Sequence, residues 1–293
     1  MLEEVNRYFR TGSVITRLIF INVGVFVIQS IVLLVFTLSG HQQTFMQALE
    51  YLYFPATLNH FITQPWSIIS YQFLHEPLGV LHILFNMLYL YWFGRILLDF
   101  MASKYVVPIY ITGGIAGALL FMLLYGISPA LQTNGLLLGA SASILAIVTA
   151  AATLVPDYTV HLILIGPVRL KWIALIAVLI DIVGVSSGGN VGGHIAHLGG
   201  ALTGFLFIHS YRRGLHWFDW VFALGERLNF KSRKKPRVVY VRNEPRTTSG
   251  SGMKRNEDQQ TRMDAILDKI SRSGYDSLSN EERAFLFKIS KDK

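Results

Sequence analysis

The chain has no cysteine among its 293 residues. Disulfide bonds and thiol catalysis are therefore excluded. Charge is scarce too: 15% of residues are Asp, Glu, Lys or Arg, against about 25% in soluble domains. The shortage is uneven. No Lys or Arg occurs from Leu18 to Gly94, from Tyr105 to Val168, or from Trp172 to Tyr211. Of the 26 basic residues, 17 follow Arg213. Acids are rarer still in the apolar part, where Asp181 is the only one well inside a hydrophobic run. A pair of intramembrane aspartates of the aspartyl-protease kind is thus excluded. There is no His-Glu-x-x-His, so a zinc protease would lack its base.

What is present is hydrophobicity. The mean hydropathy is +0.43 and 52% of residues are hydrophobic. Six apolar runs, at about 18–39, 81–99, 105–125, 136–154, 171–187 and 194–211, approach the roughly 20 residues that span a bilayer core. Basic residues prefer cytoplasmic loops. Arg7, Arg10 and Arg17 precede the first run, Arg95 and Lys104 bracket the second turn, Arg169 and Lys171 the fourth, and Arg212 and Arg213 follow the last. The other three connections have none. This predicts an all-α membrane protein with six transmembrane helices and both termini cytoplasmic. The first run is too long for the core of a cleavable signal.

The expected organisation is a cytoplasmic N-terminus (1–13), a membrane domain (14–211), a membrane-surface helix (212–230), a flexible basic linker (231–261) and a small helical hairpin (262–293). The surface helix rests on Trp217, Phe218, Trp220 and Phe222 beside basic residues. The hairpin rests on helical spacing of apolar residues and on Ser279 with Glu282, a capping box. The connection 40–80 is rich in aromatics and is expected to be partly helical, lying in the outer leaflet. The net charge of +8 is accounted for by the positive-inside bias and a tail drawn to anionic lipid. No nucleic-acid partner is expected.

Polar groups inside a membrane are costly and invite a functional reading. The second, fourth and sixth runs each open with them: His82 and Asn86, Ser141 and Ser143, His194 and His197. Three parallel helices thus bring an amide, a hydroxyl and an imidazole to one shallow level. Small residues permit close helix approach: Gly139 and its neighbouring alanines on the fourth run, Gly200 and Gly204 on the sixth. Close packing there would bring the Ser141 hydroxyl to a His197 ring nitrogen, the geometry that activates a nucleophile. His82 and Asn86, at i and i+4, can donate to an oxyanion. Taken singly, Ser141 reads as a packing residue, and His194 and His197 with His82 read as metal ligands. The Ser–His reading alone accounts for all three runs.

These motifs resemble those of the rhomboid family of intramembrane serine proteases. They are His82-x-x-x-Asn86, Gly139-x-Ser141, and Ala196-His197-x-x-Gly200-x-x-x-Gly204, over about residues 14–211. The resemblance implies a six-helix rhomboid-like bundle, with Ser141 as nucleophile, His197 as base, and His82 and Asn86 as oxyanion donors. It implies no metal or other cofactor, and transmembrane proteins as substrates in the bilayer. Its setting would be the cytoplasmic (inner) membrane of a bacterium, and the tail resembles a helical extension of some bacterial members. Asp181 then becomes structural, because a Ser–His dyad needs no acid, and His194 lines the cavity. The rival is a non-catalytic rhomboid-like protein that binds membrane helices. Two positions depart from the family pattern. Ala142 stands where many members have glycine, which is expected to tighten the site. Trp66-Ser67 replaces a Trp-Arg of the first loop, which leaves that loop's anchoring to other residues.

Overall fold

Ser13 opens the first long helix: extended at its own backbone, it accepts the Thr16 amide on its side chain. That cap starts α2 (Val14–Leu38), which follows a short α1 (Leu2–Thr11). The computed structural model describes residues 2–131, 135–162, 165–187, 189–215, 218–219 and 253–291. Residues 1–230 and 231–293 form two separate units.

In the first unit, α2 is followed by α3 (Gln42–Glu50), strand β1 (Phe54–Pro55), α4 (Leu58–Thr63), α5 (Ser67–Ser70), α6 (Val80–Phe100) and α7 (Val106–Ile127). Strand β2 (Leu136–Leu137), α8 (Ser141–Leu154), strands β3 (Thr159–Leu162) and β4 (Gly166–Arg169), α9 (Leu170–Ser187) and α10 (Val191–Arg212) complete it. The protein is mostly helical. Among the described residues, four helical segments are long and apolar enough to cross a membrane: Val14–Leu38, Val80–Phe100, Ser103–Ile127 and Val191–Arg212.

The organising element is α8. Every residue from Ala142 to Ala152 is buried, and α6, α7, α9 and α10 all pack on it. The fourth run was expected to be helical from 136. Instead Leu136 and Leu137 pair antiparallel with Pro55 and Phe54, and Gly139 has φ +113°, a conformation open to glycine and not to a helix. The helix begins at Ser141. At about 1.5 Å per residue its 14 residues cover about 21 Å, less than the roughly 30 Å of a hydrocarbon core. The helix alone is therefore shorter than a full span, and the strand Leu136–Leu137, with Leu136 exposed and Leu137 buried, leads to Ser141.

The connection from 39 to 79 is partly helical, as α3, α4 and α5. Its anchors are backbone carbonyls. Gln29 of α2 donates to the His75 carbonyl at 2.7 Å, and the Tyr110 hydroxyl of α7 donates to that of Gln72 at 3.0 Å. The Gly139 amide donates to the Tyr71 carbonyl at 3.0 Å. Trp66 donates to the Tyr51 carbonyl at 2.9 Å and Ser67 is fully buried. Between α8 and α9 a hairpin, β3 paired with β4 with Thr159 opposite Arg169, was not foreseen. Beside it Asp157 accepts from Arg169, at the end of β4, at 3.2 Å and from Lys171 of α9 at 2.7 Å.

The proposed surface helix (212–230) lies mostly outside the described residues, and the linker up to 252 lies outside them. The second unit contains helices Met253–Ser273 and Asn280–Lys291. The first begins inside the stretch read as linker, because its sequence is polar but lacks helix breakers. Ser279 and Glu282 cap the second: the Ser279 amide donates to Glu282 at 2.8 Å and the Glu282 amide to Ser279 at 3.3 Å.

Candidate active site

Four helices deliver the polar groups, α6, α8 and α10 from their N-terminal ends and α9 from its C-terminal half. Ser141 opens α8. Its Oγ lies 2.7 Å from His197 Nε2. The other ring nitrogen, Nδ1, lies 2.8 Å from Asp181 Oδ1, and the same oxygen is 2.8 Å from His194 Nδ1. The Asp181 side chain is 7% exposed and each imidazole 21%.

Close approach of α8 and α10 makes the first contact possible. A Cβ on Gly200 would collide with the Ala142 carbonyl oxygen, and one on Gly204 with that of Ala146. The Thr149 hydroxyl donates across to the Ala201 carbonyl at 3.0 Å. The helices thus touch backbone to backbone, as the glycine spacing predicted. Gly139 was expected to serve helix packing too. It stands before the helix instead, beside the site: a Cβ there would sit 3.5 Å from His82 Nε2 and 3.6 Å from Ser141 Oγ. Glycine at 139 keeps that space open.

The two serines of GASAS part ways. Ser143 is fully buried and donates to Gln72 Oε1 at 3.1 Å. Ser141 faces a cavity of about 900 Å³ lined also by His82, Asn86, Asp181 and His197. Phe85 and Tyr89 of α6 and Ala177 and Ile180 of α9 form its apolar walls. Asn86 is 7% exposed, and its Nδ2 has no hydrogen-bond partner among the described residues. No side chain caps α8, whose N-cap residue is Ala140. By contrast Asn190 caps α10 through the Gly193 amide. The first-turn amides of α8 are left as donors, with the positive end of the helix dipole behind them.

A model of the Rhomboid domain matches residues 63–213. The chain belongs to the rhomboid family. A relative, Presenilin-associated rhomboid-like protein A, mitochondrial, of Danio rerio, is 28% identical over 141 residues, 47% of this chain and 36% of the relative. The match thus spans about a third of that protein's length. A family of unknown function, DUF6576, matches residues 253–292. This is a multi-pass membrane protein with a rhomboid domain and a separate C-terminal helical unit.

Within the rhomboid domain, one expectation needs correction. The Ala142 methyl does not crowd the cavity. It is buried against Gly117 of α7. Asp181, expected to be structural, has imidazole partners that its position in the sequence did not show: it is hydrogen-bonded to the ring that meets Ser141. Spacing gave no warning of this, since Asp181 lies 16 residues before His197 on a separate helix. The signal was its cost: a lone carboxylate in an apolar helix needs partners. Asp181, His194 and His197 also offer ligand atoms within 4.8 Å of one another. That arrangement is equally what one carboxylate between two imidazole N–H groups produces.

Proposed function

We propose that this rhomboid is an intramembrane serine endopeptidase that cuts transmembrane segments of other membrane proteins near the outer face of the cytoplasmic membrane. The observation that carries the proposal is the 2.7 Å approach of Ser141 Oγ to His197 Nε2 in a polar-floored cavity. The absence of basic residues from three alternate connections supports six spans with both termini cytoplasmic. In that count α8 and α9 are the fourth and fifth spans.

In the first step His197 Nε2 takes the Ser141 proton as Oγ attacks the scissile carbonyl carbon. The carbonyl oxygen becomes an oxyanion, which accepts from Asn86 Nδ2, the His82 ring N–H and the Ser141 amide. Collapse breaks the C–N bond, and the proton on His197 goes to the leaving amine. Water then gives a proton to His197 and its oxygen to the acyl carbon. The acid product leaves and Ser141 recovers its proton. His197 serves as base and then acid in both halves.

The experiment is cleavage of a model transmembrane substrate in proteoliposomes by wild type and Ser141→Ala. Cleavage by wild type that vanishes in the variant, with unaltered folding, supports the assignment. Cleavage that persists overturns it. A wild type that binds the substrate helix, never cuts it and takes up no fluorophosphonate would favour the non-catalytic reading.

A further inference from the structure

Asp181 has a connection that the Ser–His pair does not require. One carboxylate oxygen serves two imidazoles, each from Nδ1 and each at 2.8 Å. An ionised carboxylate accepts and does not donate, so with Asp181 ionised both Nδ1 atoms carry the hydrogen. For His197 this decides the chemistry. A neutral ring with hydrogen on Nδ1 has its lone pair on Nε2, the atom that faces Ser141 Oγ. The opposite tautomer would turn a lone pair toward the carboxylate and leave nothing to accept the serine proton.

His194 is seated with equal care. Its ring lies over Gly184 of α9, where a Cβ would overlap Cε1, Nε2 and Cδ2. Asp181 and Gly184 are three apart on α9, and His194 and His197 are three apart on α10. Each pair therefore occupies one helix face. The two faces interlock: Gly184 takes the ring of His194, and Asp181 takes its N–H. The two imidazoles stand edge to face, with centroids 6.0 Å apart.

We propose that Asp181 is a positioning residue that fixes the tautomer and orientation of His197, and that His194, seated on Gly184, holds the Asp181 carboxylate in place. This rests on reading Ser141 and His197 as the reacting pair. As His197 gains a proton, the carboxylate also balances its charge. The working unit is then a chain of four, Ser141–His197–Asp181–His194, rather than an isolated pair.

The test uses the full chain in proteoliposomes, with kcat and KM for a transmembrane substrate and thermal unfolding as the fold control. Asp181→Asn, nearly isosteric, is expected to lower kcat by about 10²- to 10⁴-fold with KM within about threefold. His194→Ala is expected to lower kcat by about tenfold. His194→Asn, which restores an N–H at the Nδ1 position, is expected to recover most of that loss. Gly184→Ala is expected to mimic His194→Ala and to add little on top of it, since both act through one contact. Full kcat in Asp181→Asn, or no rescue by asparagine at 194, overturns the proposal. Should Asp181→Asn fail to fold, additive losses in the Gly184→Ala, His194→Ala double variant overturn it equally. These outcomes leave the protease reading intact, which falls only if Ser141→Ala still cuts or wild type never does.

Discussion

The carbonyl oxygen of Ala142 faces Gly200 so closely that no side chain fits at 200. Ala142 follows Ser141, and Gly200 lies one turn beyond His197. The backbone contact therefore sets the distance between Ser141 and His197. Gly200→Ala overpacks this interface, at a cost of about 1–3 kcal/mol, and parts α8 from α10. The expected outcome is a lower unfolding temperature together with at least a tenfold slower reaction with a fluorophosphonate probe. Unaltered probe reactivity would show that the spacing is set elsewhere.

His75 gives the fold a pH dependence. It lies outside the long helices, in the connection before α6, and is fully buried. Burial pushes its imidazole down to about 4, with nearby His82 adding to the shift and the Phe73 carbonyl opposing it. In the unfolded chain the ring titrates at about 6.5. Between those values the unfolded state binds the extra proton. Stability is therefore complete above about 6.5 and falls as the pH drops toward 4, by about 3 kcal/mol at most. Unfolding temperatures in detergent, measured across this window, should fall more steeply for wild type than for His75→Phe. Parallel curves would remove His75 from the account.

How much of this was legible beforehand depended on the kind of signal. The meeting of Ser141 and His197 could be read from small residues at regular spacing, because Gly200 and Gly204 act through local geometry. His82 and Asn86 followed from one helix face. The start of α8 was misread because Leu136 and Leu137 are apolar in a strand as in a helix, and hydrophobicity does not separate the two. Gly139 was the available sign. The partners of Asp181 were not legible because they lie on another helix, and its pairing is a tertiary fact. The paired strands Thr159–Leu162 and Gly166–Arg169 went unseen because each has only four residues.

The C-terminal unit offers a smaller test. The Glu282 carboxyl is held below its ordinary value by the Ser279 amide, with Lys269 contributing. Lys269 Nζ lies 2.9 Å from it. Ser279→Ala removes one half of the capping box, at a cost of about 1 kcal/mol. Amides in the first turn of helix Asn280–Lys291 should then exchange with solvent about fivefold faster at neutral pH. The wild-type helix should lose the same support as the pH falls through the lowered Glu282 value, where the carboxylate gains its proton. Equal exchange in wild type and Ser279→Ala would show that the cap does not hold this helix.

Asn86 separates activity from stability. Its Nδ2 is buried without a partner among the described residues, and a buried polar group left unpaired costs about 1–3 kcal/mol. Replacing it by an apolar residue of similar size should therefore leave the fold as stable or make it more so. If the amide meets the oxyanion, however, the same change removes a donor worth about 2.7–4 kcal/mol in the transition state, or 10²–10³ in kcat. Asn86→Leu should thus combine an equal or higher unfolding temperature with a kcat reduced by two to three orders of magnitude. Pure packing residues behave otherwise, losing stability first and activity as a consequence. A variant that loses stability and activity together would assign Asn86 to the fold and leave the oxyanion to His82 and the Ser141 amide.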